Sequence, residues 1–348
     1  MILNNPSNNH NILNNFSIFV VGNSRSGTTM MGRILGNHKN IFTFHELHFF
    51  EQLWSINDKN HTLSPYAAKK LAARLLCIQR DDYFKRIKLN NFIHEANDII
   101  HEIKGDVFTS TKVFEAFLYY ETIKNNKNIP CDQTPRNVFY MGEILELYPN
   151  SKIINMIRDP RDVLLSQKRK WKRRFLGAKN IPLKESFRSW INYNPVTISK
   201  LWNASIYAAD KYSGNNRIIS LRFEDLLKDP ENYVRKICDF LEIPFYHTML
   251  EIPQIGSSSG FDQPEKKGIN SERINIWKKG GLNSTEVYIC QKITCSLMNH
   301  YGYPIINANP NYFSIAFYIF ILPIKLLIAF VLNIKRMKNI KETIRKRL

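Results

Sequence analysis

Apolar positions along this chain follow two periods. Short continuous apolar runs bounded by turn-forming residues occur at Phe16 to Gly22 (FSIFVVG), Lys152 to Ile157 (KIINMI) and Arg217 to Phe223 (RIISLRF). Runs of this length predict strands buried on both faces, as in a parallel sheet. Each leads through a short loop into a helical pattern, the first into a helix over about Thr28 to Gly36, and this alternation predicts an α/β fold. Three further helix starts carry a capping residue followed by proline at the first helical position: Ser64-Pro65, Thr134-Pro135 and Asp229-Pro230. Between Leu63 and Leu118 the apolar residues recur at helical spacing, as in Ala68, Leu71, Ala72, Leu75 and Leu76. That spacing predicts a helical cap over about 45–130. Ligands of such folds sit at the C-terminal ends of the strands.

The final apolar stretch has a different character. Tyr312 to Ile334 is nearly continuous over 23 residues, interrupted by Pro323 and Lys325, and 335–348 then carries seven cations against one acid. As a helix it would be ~34 Å long, against a bilayer core of ~30 Å. Its roughly fifteen Ile, Leu, Phe and Val residues favour insertion by about 5–9 kcal/mol, against about 3 kcal/mol for one central lysine. Membrane contact is therefore predicted. The first fifteen residues are Asn-rich and lack the pattern of a secretory signal, so a single span would send the basic tail outward, against the positive-inside rule. A segment bent near Pro323 and Lys325, lying in the cytosolic leaflet with its basic tail on anionic headgroups, satisfies both conditions. A spanning helix and a helix packed on the domain are the alternatives. The expected organisation is a loose tail over 1–15, one α/β domain over 16–305, and the apolar segment with its tail over 306–348.

Composition narrows the classes. With 44% hydrophobic and 23% charged residues, the chain of 348 residues is outside the disordered, collagen-like and coiled-coil classes. Its net charge of +19 calls for an anionic partner: a nucleotide, a nucleic acid or a membrane surface. Five cysteines, an odd number without a C-x-x-C pair, argue against a disulfide framework and a zinc site. The resulting expectation is a cytoplasmic protein, peripheral or monotopic on the cytosolic face of a membrane. The N-x-S/T triplets at Asn15, Asn203 and Asn283 are then chance matches.

Two segments carry candidate chemistry. Gly22 to Thr29 reads G-N-S-R-S-G-T-T, a strand-loop-helix element whose backbone N–H groups and helix N-terminus can cradle an anion. A nucleoside-triphosphate loop carries lysine after its second glycine; here that position is Thr28, and Arg25 is the loop's cation. In the second segment a strand delivers Arg158, Asp159-Pro160 turns the chain, and a helix carries Ser166 two turns in. A guanidinium and a hydroxyl so placed can grip one phosphate, which implies a second anionic group on the ligand. The competing reading pairs Arg158 with Asp159 or Asp162 and leaves Ser166 in solvent.

The motifs S-R-S-G-T-T, R-D-P-R-D-V-L-L-S and L-R-F-E-D-L-L-K-D-P, in that order, resemble the sulfotransferases that use 3′-phosphoadenosine 5′-phosphosulfate. The similarity runs from about Phe16 to Pro304 and is to the broad bacterial-type branch, which also looks like the tyrosylprotein sulfotransferases. It implies a P-loop-like parallel sheet flanked by helices. Arg25, Ser26, Gly27, Thr28 and Thr29 would bind the 5′-phosphosulfate, with Arg25 neutralising charge on the leaving phosphate. Arg158 and Ser166 would bind the 3′-phosphate, and Phe223 would stack on adenine. Lys278, Lys279 and Gly280, beside Arg273 and Trp277, would close over the 3′-phosphate.

The resemblance also assigns the general base to Glu46, with His45 and His48 as competitors. The acceptor would be a hydroxyl or amine, with a lipid or glycan suggested by the apolar segment. No metal and no nucleic-acid partner are expected. Asp132-Gln133-Thr134-Pro135 departs from the family's D-K-T-P, since Gln133 can donate a hydrogen bond but supplies no charge; Arg25 would then act alone, or Arg136 or Lys112 would substitute. The run Lys168 to Arg174 holds six cations in seven residues and reads as a solvated face or as an attractor of anions. Two rival functions remain: a P-loop NTP-dependent kinase, and a non-catalytic basic nucleic-acid- or membrane-binding protein on the same fold.

Overall fold

Five short parallel strands form the central sheet: β1 (Ile18–Gly22), β2 (Ile41–Thr43), β3 (Ile129–Asp132), β4 (Lys152–Ile157) and β5 (Ile218–Arg222). The computed structural model describes residues 16–347, apart from 82–88, 104, 106, 177, 179–180 and 256–262; the expected loose tail over 1–15 lies outside the described residues. The helices in chain order are α1 (Thr28–Gly36), α2 (Pro65–Asp81), α3 (Ile93–His101), α4 (Ser110–Lys124), α5 (Met141–Leu147), α6 (Pro160–Lys168), α7 (Leu183–Ile191), α8 (Pro195–Asp210), α9 (Phe223–Lys228), α10 (Pro230–Leu241), α11 (Ser284–His300), α12 (Tyr312–Asn333) and α13 (Ile340–Arg347).

The strand order is β2-β3-β1-β4-β5, with Ile18 opposite Lys152 and Gly22 opposite Met156. The chain leaves β1 toward one edge, returns through β3, and then builds β4 and β5 on the other side. β1 is thus the place where the winding reverses, which is where open α/β sheets bind ligands. Alternation along β1 divides the core in two. Phe19 and Val21 pack with Phe44, Phe49, Phe50, Trp54 and helices α2 to α4, while Ile18 and Val20 pack with α1 and α10.

The three predicted strands and α1 form where the apolar pattern puts them. The proline-marked starts also open helical turns, although Pro135 to Tyr140 is 3-10 helix before α5 begins. One of the three expected caps is present and two are not. Ser64 accepts from the Ala67 N–H at 3.2 Å, whereas Thr134 donates to Asp132 and Asp229 accepts from the Asn232 side chain. Pro323 stays inside a continuous α12 and no helix break follows it. Lys325 turns toward the domain, donating to the Tyr193 carbonyl at 2.8 Å.

Candidate active site

A cavity of about 1510 Å³ opens at the C-terminal end of the sheet. Its wall includes Gly22, Gln133, Arg158 and Phe223, the residues that end or immediately follow β1, β3, β4 and β5. Two glycines make the first turn possible. A Cβ at Gly22 would lie 2.4 Å from the Met156 carbonyl oxygen, and one at Gly27 would lie 2.3 Å from the Phe223 ring. Gly27 is also left-handed, at φ 99°, as is Arg25 between them at φ 76°. The Ser26 N–H closes the turn on the Asn23 carbonyl at 3.1 Å. The N–H groups that open α1 have no preceding turn to bond, and they face the cavity edge at Gly27, Thr28 and Thr29. Ser26 itself is fully buried behind the turn.

The loop and the second motif meet directly. Arg25 Nε donates to Ser166 Oγ at 2.9 Å, and Arg158 donates to the Arg25 carbonyl at 3.2 Å and the Arg273 carbonyl at 3.1 Å. Ser166 is thus buried beside the loop rather than turned to solvent. Asp159 is occupied by Arg161, while Asp162 stands 3.7 Å from Arg158 and accepts from the Trp277 N–H. Arg158 Nε is buried with no hydrogen-bond acceptor among the described residues. Phe223 is 3% exposed, with the Arg158 guanidinium 4.5 Å from its ring centroid and Gly27 at its edge. The guanidinium covers one face of the ring, and Phe223 still lines the cavity.

Electrostatics add residues that motif reading missed. The basic run 168–174 is divided by the structure: Lys168 pairs with Glu286, Arg169 donates to the Gly280 carbonyl, and Lys170 and Arg173 line the cavity. Burial, followed by Arg173 and Arg158, pulls the Arg25 guanidinium down to about 9. Burial and then Arg25 pull Lys170 down to about 7. Cations crowded in this way favour a bound anion. The run of basic residues signalled them, but its spacing could not show which ones turn inward. Lys278, Lys279 and Gly280 are exposed and outside the cavity wall, and the late loop contributes Arg273 and Ile276 instead.

Glu46 and His45 line the same cavity, on the segment that follows β2. Glu46 lies 3.4 Å from His48 Nε2, and His48 lies 3.8 Å from Glu51 in the π-helical turn Phe49–Leu53. Such turns are rare and concentrate at functional sites. Glu51 is 2% exposed, and although burial pushes its carboxyl up, Arg136 at 2.5 Å and Arg347 hold it below the usual range. Burial lowers His48. Gln133 faces the cavity beside α1, packed against Gly32, with its Oε1 lacking a partner among the described residues. Asp132 behind it is pushed up to about 7 by burial, while Thr134 and Asn137 donate to its two oxygens. Among the described residues no group of three or more His, Cys, Asp or Glu side chains is arranged to hold a metal ion.

Known proteins match this arrangement. A family model described as "Sulfotransferase family" fits residues 17–247. An uncharacterized protein of Aquifex aeolicus is 24% identical over 268 residues, covering 75% of this chain and 30% of that protein. A putative protein-tyrosine sulfotransferase of Caenorhabditis elegans is 25% identical over 173 residues, covering 47% of this chain and 62% of that one. The chain therefore spans less than two thirds of the length of either relative. The sulfotransferase domain of the Synechococcus PCC 7002 olefin synthase superposes with a TM-score of 0.48 at 17% identity, covering 84% of this chain and 96% of that domain. The family match takes in the anion-binding loop, Glu46 and the Arg158–Ser166 segment that meet at this cavity: the chain belongs to the sulfotransferase family.

Proposed function

We propose that the protein transfers a sulfuryl group from 3′-phosphoadenosine 5′-phosphosulfate to a hydroxyl or amine acceptor. The observation that carries this reading is the contact of the two anion seats, Arg25 on Ser166 and Arg158 on the Arg25 carbonyl, at the reversal point of the sheet. One ligand with phosphate groups at both ends of a ribose fits two adjoining seats. The unbonded Arg158 Nε and the crowded cations Arg25 and Lys170 suit that tetra-anionic ligand and disfavour an empty site.

The donor supplies an activated sulfuryl group whose S–O bond to phosphate breaks as a new bond forms from sulfur to the acceptor oxygen or nitrogen. Backbone N–H groups of Gly27, Thr28 and Thr29 hold the 5′ end, and Arg25 stabilises negative charge gathering on the departing phosphate oxygen. Arg158 and Ser166 hold the 3′-phosphate. Glu46 accepts the acceptor's proton, and His48 beside it fixes the carboxylate. Gln133 occupies the place where the resemblance expects a lysine, so Lys170 and Arg173, which line the same cavity, supply the missing charge.

Calorimetric titration with adenosine 3′,5′-bisphosphate, set against Mg-ATP, tests the reading. The bisphosphate is expected to bind, Mg-ATP to bind far more weakly, and Arg158→Ala to weaken the bisphosphate by about 10- to 100-fold, as for a lost charge-assisted clamp. Preference for Mg-ATP would overturn it in favour of a kinase.

A further inference from the structure

Helix α12 presents two distinct sides. Its inner side is stitched to the domain by polar contacts. The Tyr318 carbonyl accepts from Asn194 at 3.1 Å, Lys325 donates to the Tyr193 carbonyl at 2.8 Å, and Asn333 accepts from Arg188 at 2.7 Å. These fastenings span fifteen residues of the helix, about 22 Å of its length. Its outer side is a stripe of Phe313, Phe317, Phe320, Ile324, Leu327 and Val331, all exposed, with Phe313 at 89% and Phe320 at 76%. Spaced alternately by four and three residues, they make one continuous apolar face. The inner side also lines, at Leu322, Lys325, Leu326, Ala329, Phe330 and Asn333, the same cavity that reaches the donor loop.

A helix fastened along its length to a water-soluble domain cannot be surrounded by lipid, yet its outer stripe is larger than water-exposed surfaces ordinarily carry. Insertion of one face into a leaflet, with the helix axis in the membrane plane, meets both conditions. Of the cations that follow, Arg336, Lys338, Lys346 and Arg347 pair with Glu185, Asp58, Glu143 and Glu51 of the domain, while Lys341 and Arg345 are exposed beside the end of α12, where they can meet anionic headgroups. Leu326 and Phe330 line the cavity and are also exposed, so the cavity wall is continuous with the outer surface of the helix. On and just before α8 the cavity lining mixes Tyr193, Val196, Ile198 and Leu201 with Asn192, Asn194, Thr197 and Lys200. The cavity exceeds the roughly 300–1,000 Å³ that a small ligand occupies, which leaves room for an acceptor with apolar chains beside the donor.

We propose that α12 lies in a membrane leaflet and that the acceptor is an anionic lipid of that leaflet carrying a free headgroup hydroxyl, admitted past Leu326 and Phe330. The acceptor half of this proposal rests on the sulfuryl-transfer reading. The headgroup oxygen gains the sulfuryl group, its proton passes to Glu46, and the bisphosphate leaves.

The full-length protein, purified in detergent and mixed with vesicles, provides the test. It is compared with Phe320→Glu/Leu327→Glu, whose two sites are on the solvent side of α12, on vesicles of phosphatidylcholine alone or with phosphatidylglycerol or phosphatidic acid. The wild type is expected to co-float with both anionic mixtures, at least tenfold more than the variant, while both proteins bind adenosine 3′,5′-bisphosphate equally. Sulfur-35 from the labelled donor is expected to enter phosphatidylglycerol, which has hydroxyls, and not phosphatidic acid, which lacks them. Equal flotation of variant and wild type, or no flotation, overturns the membrane assignment while bisphosphate binding still upholds the donor site. Flotation without labelling of phosphatidylglycerol, in protein that binds the bisphosphate, overturns the lipid acceptor. Loss of bisphosphate binding in the wild type overturns the donor reading itself.

Discussion

Lys170 illustrates how much a single side chain owes to its surroundings. Held at about 7 by burial and by Arg25, it is mostly neutral at pH 8 in the empty site. An entering anion favours its charged form and raises its pKa, so binding of the bisphosphate at pH 8 is expected to take up about one proton at Lys170; at pH 6 this uptake is nearly gone and the ligand's own phosphates, with second pKa values of about 6, release protons instead. Calorimetry in buffers of different ionisation enthalpy measures this directly, and Lys170→Met should abolish most of the uptake. The sign also fixes the stability trend. The unfolded chain keeps lysine protonated to about pH 10.4, so this residue makes the empty fold more stable as pH rises above 7. Glu46→Gln, by contrast, should leave bisphosphate affinity unchanged and slow transfer to phosphatidylglycerol vesicles by about 10²- to 10⁴-fold, the usual span for a lost general base. A slowed rate accompanied by weakened bisphosphate binding would move Glu46 from proton transfer to donor positioning.

Among the elements, the turn from β1 into α1 has the least freedom. Alanine at Gly27 meets both a left-handed backbone and the Phe223 ring at 2.3 Å, so Gly27→Ala should cost about 1–3 kcal/mol in denaturant unfolding and disturb Arg158, which rests on the same ring. This turn was legible because glycine spacing, strand and helix all agree within a dozen residues. The neighbouring strands were not. β2 has three residues, and β3 reads Ile-Pro-Cys-Asp, with a proline in an interior position that sequence rules assign to edges. Both are strands because their neighbours supply pairing and burial, which no local pattern records. The same holds for the basic run 168–174, where a 3-10 helix turns Lys170 and Arg173, three residues apart, to the cavity while Lys168 and Arg169 bond elsewhere.

At the scale of the whole molecule, Glu51 joins distant parts of the chain. From a π-helical turn near residue 50 it bonds Arg136 before α5 and Arg347 in the last helix. Glu51→Gln should weaken the docking of α13 and cost about 1–3 kcal/mol, the penalty of leaving buried polar partners poorly matched. Faster proteolysis of 335–347 together with a lower melting temperature would show it; a change in melting temperature alone would indicate a local effect.

What the sequence determined by itself was local: strand runs, proline-marked helix starts, an anion-binding loop without its lysine, and an apolar segment with a basic end. Each follows from backbone geometry and side-chain periodicity over a few residues, so it survives without tertiary context. The tertiary structure alone decided that Arg25 reaches Ser166 across 141 positions, that Phe223 lies against the Arg158 guanidinium, that Lys278 and Lys279 stay outside, and that α12 forms part of the cavity wall. Such contacts depend on where separate elements are brought by packing, and burial then sets the charge of groups like Lys170 whose identity is written in the sequence but whose environment is not.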